Sequence, residues 1–133
     1  MLTIKFALLA NSVVIDSSTS QLSIFNIIEE IQSPKLPSAI SNVTFLAIIE
    51  KLKNDAHEHE LKIAVFLNTK KLGESIFNIN FVGNNRNRTI MNIPLIPLIE
   101  YGDIVFKIIK NNKILDTHII PFTKNNEPQT AES

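Results

Sequence analysis

The chain has 133 residues, a formal net charge of zero and no cysteine. The missing cysteine excludes disulfide frameworks, zinc sites with thiolate ligands, iron–sulfur clusters and cysteine nucleophiles. Thirteen basic residues balance thirteen acidic ones, so no net field attracts the chain to nucleic acid or to an anionic membrane. No apolar run approaches the roughly 20 residues that span a bilayer. We therefore expect a cytoplasmic protein that needs no cofactor and binds neither nucleic acid nor membrane.

The first part of the chain predicts two strands followed by an extended connection. Residues 3–10 alternate apolar and polar side chains, which is typical of a strand with one buried face. Residues 21–31 fit either a strand or one face of a helix, and their β-branched and aromatic content favours the strand. Pro34 and Pro37 then mark a connection that cannot join the middle of a sheet.

Residues 42–53 are apolar on both faces, which leaves two interpretations open. As a strand the segment suits the middle of a sandwich. As a helix it would begin at a Ser38 or Ser41 cap and would give the protein an α+β fold. Residues 58–67 are clearer, because apolar and charged side chains alternate there and predict an amphipathic strand.

The next segments predict a strand, an exposed loop and an edge. Around residues 76–82, Phe and Ile alternate with Asn, as in a half-buried strand. Residues 83–88 are polar and indicate an exposed loop. Residues 89–99 are extended but contain Pro94 and Pro97, so we expect an edge strand or a crossing between sheets.

A hairpin centred on Asn111 and Asn112 follows. Asparagine tolerates the positive φ angles of a two-residue hairpin turn, so the turn fixes the register of the flanking strands. With Lys110 opposite Lys113, the predicted facing pairs are Ile109–Ile114, Ile108–Leu115, Lys107–Asp116, Phe106–Thr117, Val105–His118 and Ile104–Ile119.

Together these elements predict an all-β fold, an antiparallel two-sheet sandwich of seven to eight strands. The alternative is an α+β fold with a helix at residues 42–53. No internal repeat or linker divides the chain, so we predict one sandwich domain over residues 1–123 and a polar, flexible tail over residues 124–133.

Four segments, taken in order, resemble a bacterial family of small single-domain proteins of unknown function. They are Phe6-Ala-Leu-Leu-Ala-Asn11, Gln21-Leu-Ser-Ile-Phe-Asn-Ile-Ile28, Glu58-His-Glu-Leu-Lys-Ile63 and Tyr101-Gly-Asp-Ile-Val-Phe-Lys-Ile108. The resemblance covers nearly the whole chain, but it consists of strand and turn patterns without a catalytic signature. It implies an immunoglobulin-like β-sandwich and strands at both ambiguous segments, and it implies no active site.

Three histidines are the candidates for metal or acid–base chemistry. On a strand, His57 and His59 would project from the same side, and with His118 they could supply three metal ligands. His59 also suits the rim of the core beside Leu61, where it needs no ligand. We favour this structural interpretation and keep a small metal-binding protein or hydrolase centred on the three histidines as the alternative.

Two further groups of residues are candidates for contact with a partner. Arg86 and Arg88 lie in an Asn-rich loop, although two arginines on a neutral chain are a weak footprint for nucleic acid. Leu95, Ile96 and Leu98 belong to the apolar segment that its prolines bar from the middle of a sheet. That segment either caps the core or presents apolar surface to a partner.

The sequence therefore predicts a non-enzymatic β-sandwich protein that acts as a protein-binding module. We expect a protein partner, which could be a second copy of the chain, meeting it through an edge strand or the proline segment.

Overall fold

The computed structural model describes residues 1–125, which form nine β-strands. Within this range no helix could span a membrane. The strands are β1 (Leu2–Ile15), β2 (Leu22–Ile28), β3 (Ile31–Ser33), β4 (Ser38–Lys51), β5 (Glu58–Leu67), β6 (Lys70–Asn80), β7 (Arg86–Leu98), β8 (Gly102–Lys110) and β9 (Lys113–Lys124). Residues 126–133 lie outside the described residues, so the flexible tail predicted for 124–133 and the domain boundary at 123 stay predictions.

The nine strands form two sheets that enclose one core. The four-stranded sheet has the order β2-β1-β4-β7, and the five-stranded sheet has the order β3-β9-β8-β5-β6. Neighbouring strands are antiparallel except β3 and β9, which run parallel. The predicted all-β sandwich of two sheets is confirmed, with nine strands in the described residues where seven to eight were expected.

Both ambiguous segments are strands. Residues 42–53 belong mostly to β4, so the alternative helix is wrong. β4 pairs with β1 on one side and β7 on the other, and residues 43–49 are buried on both faces. The segment over residues 21–31 is divided instead of continuous, because β2 stays in the four-stranded sheet while β3 crosses to the other. That crossing accounts for the additional strand.

Aromatic side chains link the two sheets across the core. The rings of Phe45 on β4 and Phe106 on β8 stack with centroids 4.6 Å apart and planes at 7°. Both side chains are fully buried. Such a pair stabilises a fold by about 0.5–1.5 kcal/mol beyond the burial of its area. The stack therefore helps to fix how one sheet lies on the other.

The hairpin of β8 and β9 turns at the predicted asparagines. Asn111 and Asn112 have φ angles of 52° and 63°, as a two-residue type I′ turn requires. The first two predicted pairs are correct, namely Lys110–Lys113 and Ile109–Ile114.

Beyond these pairs the predicted register is wrong by one residue. The observed pairs are Ile108–Asp116, Lys107–Thr117, Phe106–His118, Val105–Ile119 and Ile104–Ile120. The cause is a β-bulge in which Leu115 has no partner. A bulge inserts one residue and reverses the facing of the residues that follow it. Here it lets Leu115 pack against the core while Ile120 and Phe122 are still buried farther along β9.

The hairpin of β1 and β2 ends in an arm, residues 11–25, that folds back over the outer face of the four-stranded sheet. β1 pairs with β4 only as far as Ala10. Arg88 is opposite Ile48, near the other end of the sheet. If the hairpin continued straight beyond Ala10, its tip would therefore lie about 30 Å from Arg88. Instead, Nη1 of Arg88 donates to the carbonyl oxygen of Ser20 at the tip, at 2.7 Å. The arm must therefore double back.

The arm adds a small apolar layer outside the main core. Leu46 and Ile48 project from the outer face of the sheet, yet they are only 0% and 5% exposed. The half-buried face of the arm consists of Val13, Leu22 and Ile24. Asn26 lies where the arm bends and has a φ of 57°, a conformation that asparagine adopts more readily than most residues.

The tip of the arm is a closed polar turn. The carboxylate Oδ1 of Asp16 accepts hydrogen bonds from the backbone N–H groups of Ser18 and Thr19 at 2.8 and 3.0 Å. The side-chain hydroxyl of Ser18 also donates to this oxygen, at 2.7 Å. This hydroxyl, followed by the two amides, lowers the pKa of Asp16 to about 2. These hydrogen bonds hold the tip in one shape.

A polar corner joins the β5–β6 turn to the start of β8. Asn68 has a φ of 56°, and its Nδ2 donates to the Tyr101 carbonyl at 3.0 Å and to the Glu100 carboxylate at 2.6 Å. Its Oδ1 accepts the N–H of Asp103 at 2.9 Å. Gly102 lies directly against this side chain with a φ of 144°. The corner therefore needs glycine at that position.

Tyr101 locks the same corner to the crossing strand. Its hydroxyl donates to the carbonyl oxygen of Ser33 at 3.0 Å. Its ring packs on Phe122 with centroids 5.0 Å apart. β3, which ends at Ser33, is thereby held against the start of β8 as well as against β9.

Candidate functional site

An apolar groove runs along the open side of the sandwich, between strands β6 and β7. β6 is the last strand of the five-stranded sheet and β7 the last of the four-stranded sheet. The groove has a volume of about 220 Å³, and we call it the edge groove. Its floor is Ile63 and Val65 of β5, and its walls are residues 72–75 of β6 and 91–97 of β7.

The two strands that border the edge groove differ in what their free edges offer. β6 pairs with β5 on one side and with no strand of the described residues on the other. It is 11 residues long and contains no proline. β7 has Pro94 and Pro97, which have no N–H to donate. An incoming strand can therefore pair with the β6 edge, whereas the prolines interrupt a ladder along β7.

The structure separates the three predicted partner residues of the proline segment. Ile96 and Leu98 are buried in the core, so they are core residues and not surface residues. Leu95 is 57% exposed and lies in the wall of the edge groove. The proline segment thus caps the core with Ile96 and Leu98 and also presents apolar surface at Leu95, which are the two alternatives that the sequence left open.

Glu74 is the charged residue in the β6 wall of the edge groove, and its carboxylate turns to the outer face of the sheet, where it is paired. Its carboxylate forms ion pairs with Lys71 and, at 3.6 Å, with Lys62. The hydrogen bond from Lys71 is the main cause that lowers the pKa of Glu74 below its ordinary value. The carboxylate is therefore ionised and engaged at neutral pH, and it is not a poised general acid or base.

His57 and His59 lie at the start of β5, away from the edge groove. His57 is exposed, and its backbone carbonyl accepts the N–H of Phe81 at 2.8 Å. The Nε2 of His59 is 2.8 Å from the carbonyl oxygen of Ala56. The His59 ring also meets Phe81 edge-on, with centroids 5.8 Å apart. This is the rim position predicted for His59 in the structural interpretation.

His118 lies far from the other two histidines. It faces inward from β9 opposite Phe106, and its ring is 6.1 Å from that of Phe45. Burial lowers its pKa, and the nearby Asp116 carboxylate opposes that shift. Phe106 is opposite Val65 of β5, and Val65 lies farther along the same strand than His59. At the rise of a β-strand, His118 is therefore about 20 Å along the strands from His59. The alternative of one centre built from three histidines is therefore wrong.

Within residues 1–125, no group of three or more His, Cys, Asp or Glu is placed so that it could hold a metal ion. The edge groove is an apolar concave site of the described residues that has a free main-chain edge beside it.

The model of a family of unknown function, DUF6941, matches residues 5–122. The chain belongs to this family. The resemblance to a family of unknown function, drawn from the four strand and turn segments, is confirmed. No curated protein matches the chain. Among solved structures it is similar to an immunoglobulin-like protein from Pseudomonas aeruginosa, with 10% identity, a TM-score of 0.45, and coverage of 92% of this chain and 96% of that one.

Arg86 and Arg88 of this DUF6941 chain are engaged by its own residues. Nε and Nη2 of Arg86 donate to Oε2 of Glu50 at 3.0 and 2.5 Å, which lowers the pKa of Glu50. Arg88 binds the arm through Ser20. Both residues begin β7 and are not in the loop, which is shorter than the predicted 83–88. Arg86 thus links β7 to β4, and Arg88 links β7 to the arm.

Sequence reasoning missed the edge groove of the DUF6941 chain because it placed the strand too late. The prediction began near residue 76, whereas β6 begins at Lys70. The available signal was Asn68 followed by Thr69, a two-residue turn that lets β6 follow β5 at once. That β6 lies at an edge depends on the order of the whole sheet, which no local pattern contains.

Proposed function

We propose that this protein is a non-enzymatic protein-binding module of the cytoplasm that takes up an extended segment of a partner by strand addition at β6. The observation that carries the proposal is the unpaired, proline-free β6 edge beside the apolar edge groove. In strand addition, main-chain hydrogen bonds supply affinity and pockets for alternate side chains supply specificity. The β6 edge provides the first of these and the edge groove the second.

The size and lining of the edge groove support a side chain as its occupant. Pockets for cofactors and drug-sized ligands measure roughly 300–1,000 Å³, and this groove is smaller, at about 220 Å³. Its walls are mainly aliphatic, and the carboxylate of Glu74 on the β6 wall is held by two lysines at the outer face of the sheet. One or two apolar side chains of an extended peptide fit such a site, and the described lining offers no free acid–base pair for catalysis.

The test is to select binders from a random peptide library and to map them on the protein. We expect the selected peptides to slow amide hydrogen exchange along β6 and not along the hairpin tip at Asn111–Asn112. Peptides that protect neither β6 nor the walls of the groove would contradict the proposal.

Two proline variants provide the matched control. Successive backbone amides on a strand point to opposite sides. Of Ser75→Pro and Ile76→Pro, one therefore removes an amide that points to β5 and the other an amide that points to the free edge. One variant loses a hydrogen bond to β5 and melts at a lower temperature. The other loses an outward amide, and we expect it to melt within a few degrees of the original protein and to bind the peptides at least tenfold more weakly. Equal binding by both variants would rule out strand addition at β6.

A further inference from the structure

Building on the proposed strand addition at β6, we infer that the partner strand is β6 of a second copy of this chain. The two strands pair antiparallel about a two-fold axis that passes between Leu72 and Gly73. The five-stranded sheets of the two copies then join into one continuous sheet. Two-fold dimers are the commonest soluble oligomers, and each surface patch in them must be complementary to itself.

A bulge in β6 makes its charges self-complementary. Lys71 lies opposite Phe66 and Glu74 opposite Ala64, while Leu72 is an extra residue between them. Phe66 and Ala64 are two residues apart on β5 and so share a face. Lys71 and Glu74 therefore both project from the outer face of the sheet, although residues three apart on a regular strand face opposite ways.

The two-fold axis brings these charges into register. Lys71 and Glu74 of one chain already form an ion pair with each other. With the axis between Leu72 and Gly73, Lys71 of each copy also lies directly opposite Glu74 of the other, so the two pairs join into one network of four alternating charges. Oppositely charged residues that face each other across strands are stabilising, and like charges are destabilising. A shift of either strand by one residue would place outward side chains opposite inward ones. This register therefore satisfies both the charge pattern and the facing of the side chains.

Gly73 leaves room for the opposing strand. A Cβ atom at this position would meet no atom within 4 Å, and Leu72 of the other copy lies opposite it in this register. Glycine inside a strand often marks a bulge or a place where another backbone approaches closely. The half-buried Leu72 lines the edge groove of its own chain, so the pairing brings two leucines together at the mouths of the two grooves.

The experiment measures self-association by sedimentation over a wide range of concentration, using charge reversals at the two facing positions. Lys71→Glu places carboxylates opposite each other, and Glu74→Lys places ammonium groups opposite each other. We expect each variant alone to associate about tenfold more weakly than the original chain, because the symmetry repeats each change twice. An equimolar mixture of the two variants should recover the association, since the carboxylate introduced in one variant then faces the ammonium group introduced in the other.

The control is Lys113→Glu, the same charge change at an exposed residue of the β8–β9 hairpin, which should leave association unchanged. Melting curves verify that each variant is folded. If a reversal unfolds the chain, Lys71→Gln and Glu74→Gln replace the pair and should weaken association by a smaller factor.

Three results would overturn the inference. These are a strict monomer at all concentrations, a dimer indifferent to both reversals, and a mixture of the variants that associates no better than either alone. A monomer whose β6 still binds selected peptides would leave the proposed function standing with a different partner. A monomer whose β6 binds none would remove both.

Discussion

Gly102→Ala should be the most destabilising of the three possible glycine-to-alanine changes in this chain. Gly102 has a φ of 144°, and a residue with a Cβ atom held in a sparsely populated backbone region costs about 1–3 kcal/mol. The new Cβ would lie 2.5 Å from Cγ of Asn68 and closer still to its Oδ1. The Asn68 side chain must therefore move.

Moving Asn68 breaks the corner that it holds together. Its hydrogen bonds to the Tyr101 carbonyl and the Asp103 N–H each contribute about 0.5–1.5 kcal/mol. With the backbone cost, the expected loss is about 4 kcal/mol of the free energy of unfolding. At roughly 3 °C for each kcal/mol, the melting temperature should fall by about 12 °C. Urea unfolding followed by circular dichroism measures the loss directly.

The other two glycines separate the backbone cost of Gly102→Ala from the cost of its overlap with Asn68. Gly83 has a φ of 75° but open space around it, so Gly83→Ala should cost about 1 kcal/mol through the backbone alone. Gly73 has open space and no positive φ, so Gly73→Ala should be neutral or slightly stabilising. If Gly102→Ala costs no more than Gly83→Ala, the overlap with Asn68 is not the dominant cause.

A double variant tests the overlap itself. Asn68→Gly keeps the positive φ of that position and removes the side chain that a Cβ at residue 102 would meet. Asn68→Gly combined with Gly102→Ala should therefore cost clearly less than the sum of the two single changes, because contacting residues are not additive. Strict additivity would refute the proposed contact.

Three further predictions test other parts of the structure. Leu46 is on the outer face of its sheet, but the arm covers it, so Leu46→Ala should lower the free energy of unfolding in urea by about 2–5 kcal/mol. A loss below about 0.5 kcal/mol would mean that this face is uncovered. The stability of the original chain should fall as the pH drops below 6.5, the ordinary pKa of histidine, because the unfolded chain takes up a proton before the half-buried His118 does. His118→Gln should remove this loss of stability between about pH 7 and 5, as measured by urea unfolding at each pH. An unchanged pH dependence would mean that groups other than His118 cause the loss. Tyr101→Phe should cost about 1 kcal/mol by deleting the hydrogen bond to Ser33, and an unchanged urea midpoint would mean that the corner does not depend on it.

Regular patterns made most of the fold predictable. Residues 58–67 alternate and form an amphipathic strand, and the Asn111–Asn112 turn forms the predicted hairpin. β4 was harder, because a strand buried on both faces has the same uniform apolar sequence as a buried helix. The family resemblance implied a strand there, but the decision depends on the strands that flank β4 on both sides.

The hairpin register could not be predicted beyond the turn because the bulge at Leu115 has no local signal. Both registers put apolar side chains on the inner face near the turn. The choice is made farther along, where Ile120 and Phe122 must both be buried beneath the opposing sheet. The sandwich itself does not depend on this detail, since one bulge changes the facing of β9 and leaves its pairing with β8 intact.

The candidate site was only partly predictable for a related reason. The proline segment was expected to lie at an edge, and it does, but its exposed residue could not be chosen. Ile93 packs against the core and Ile96 is buried, although residues three apart on a regular strand face opposite ways. The facing changes beside Pro94, where Asn42 of the neighbouring strand has a φ of 55°. This change leaves Leu95 at the surface.

The surface features of this protein arise where the two-residue alternation of its strands is broken. The bulge at Leu72 turns Lys71 and Glu74 to one face, the irregularity at Asn42 exposes Leu95, and the bend at Asn26 lays the arm over Leu46. In a regular strand, successive side chains point alternately to the core and to solvent, so neighbouring residues cannot share one face. Bulges and left-handed residues release that constraint, and they cluster here around the β6 edge, the edge groove and the arm. Binding surfaces in such a sandwich should therefore be sought at its irregularities, and the charge-reversal experiment at Lys71 and Glu74 is aimed at one of them.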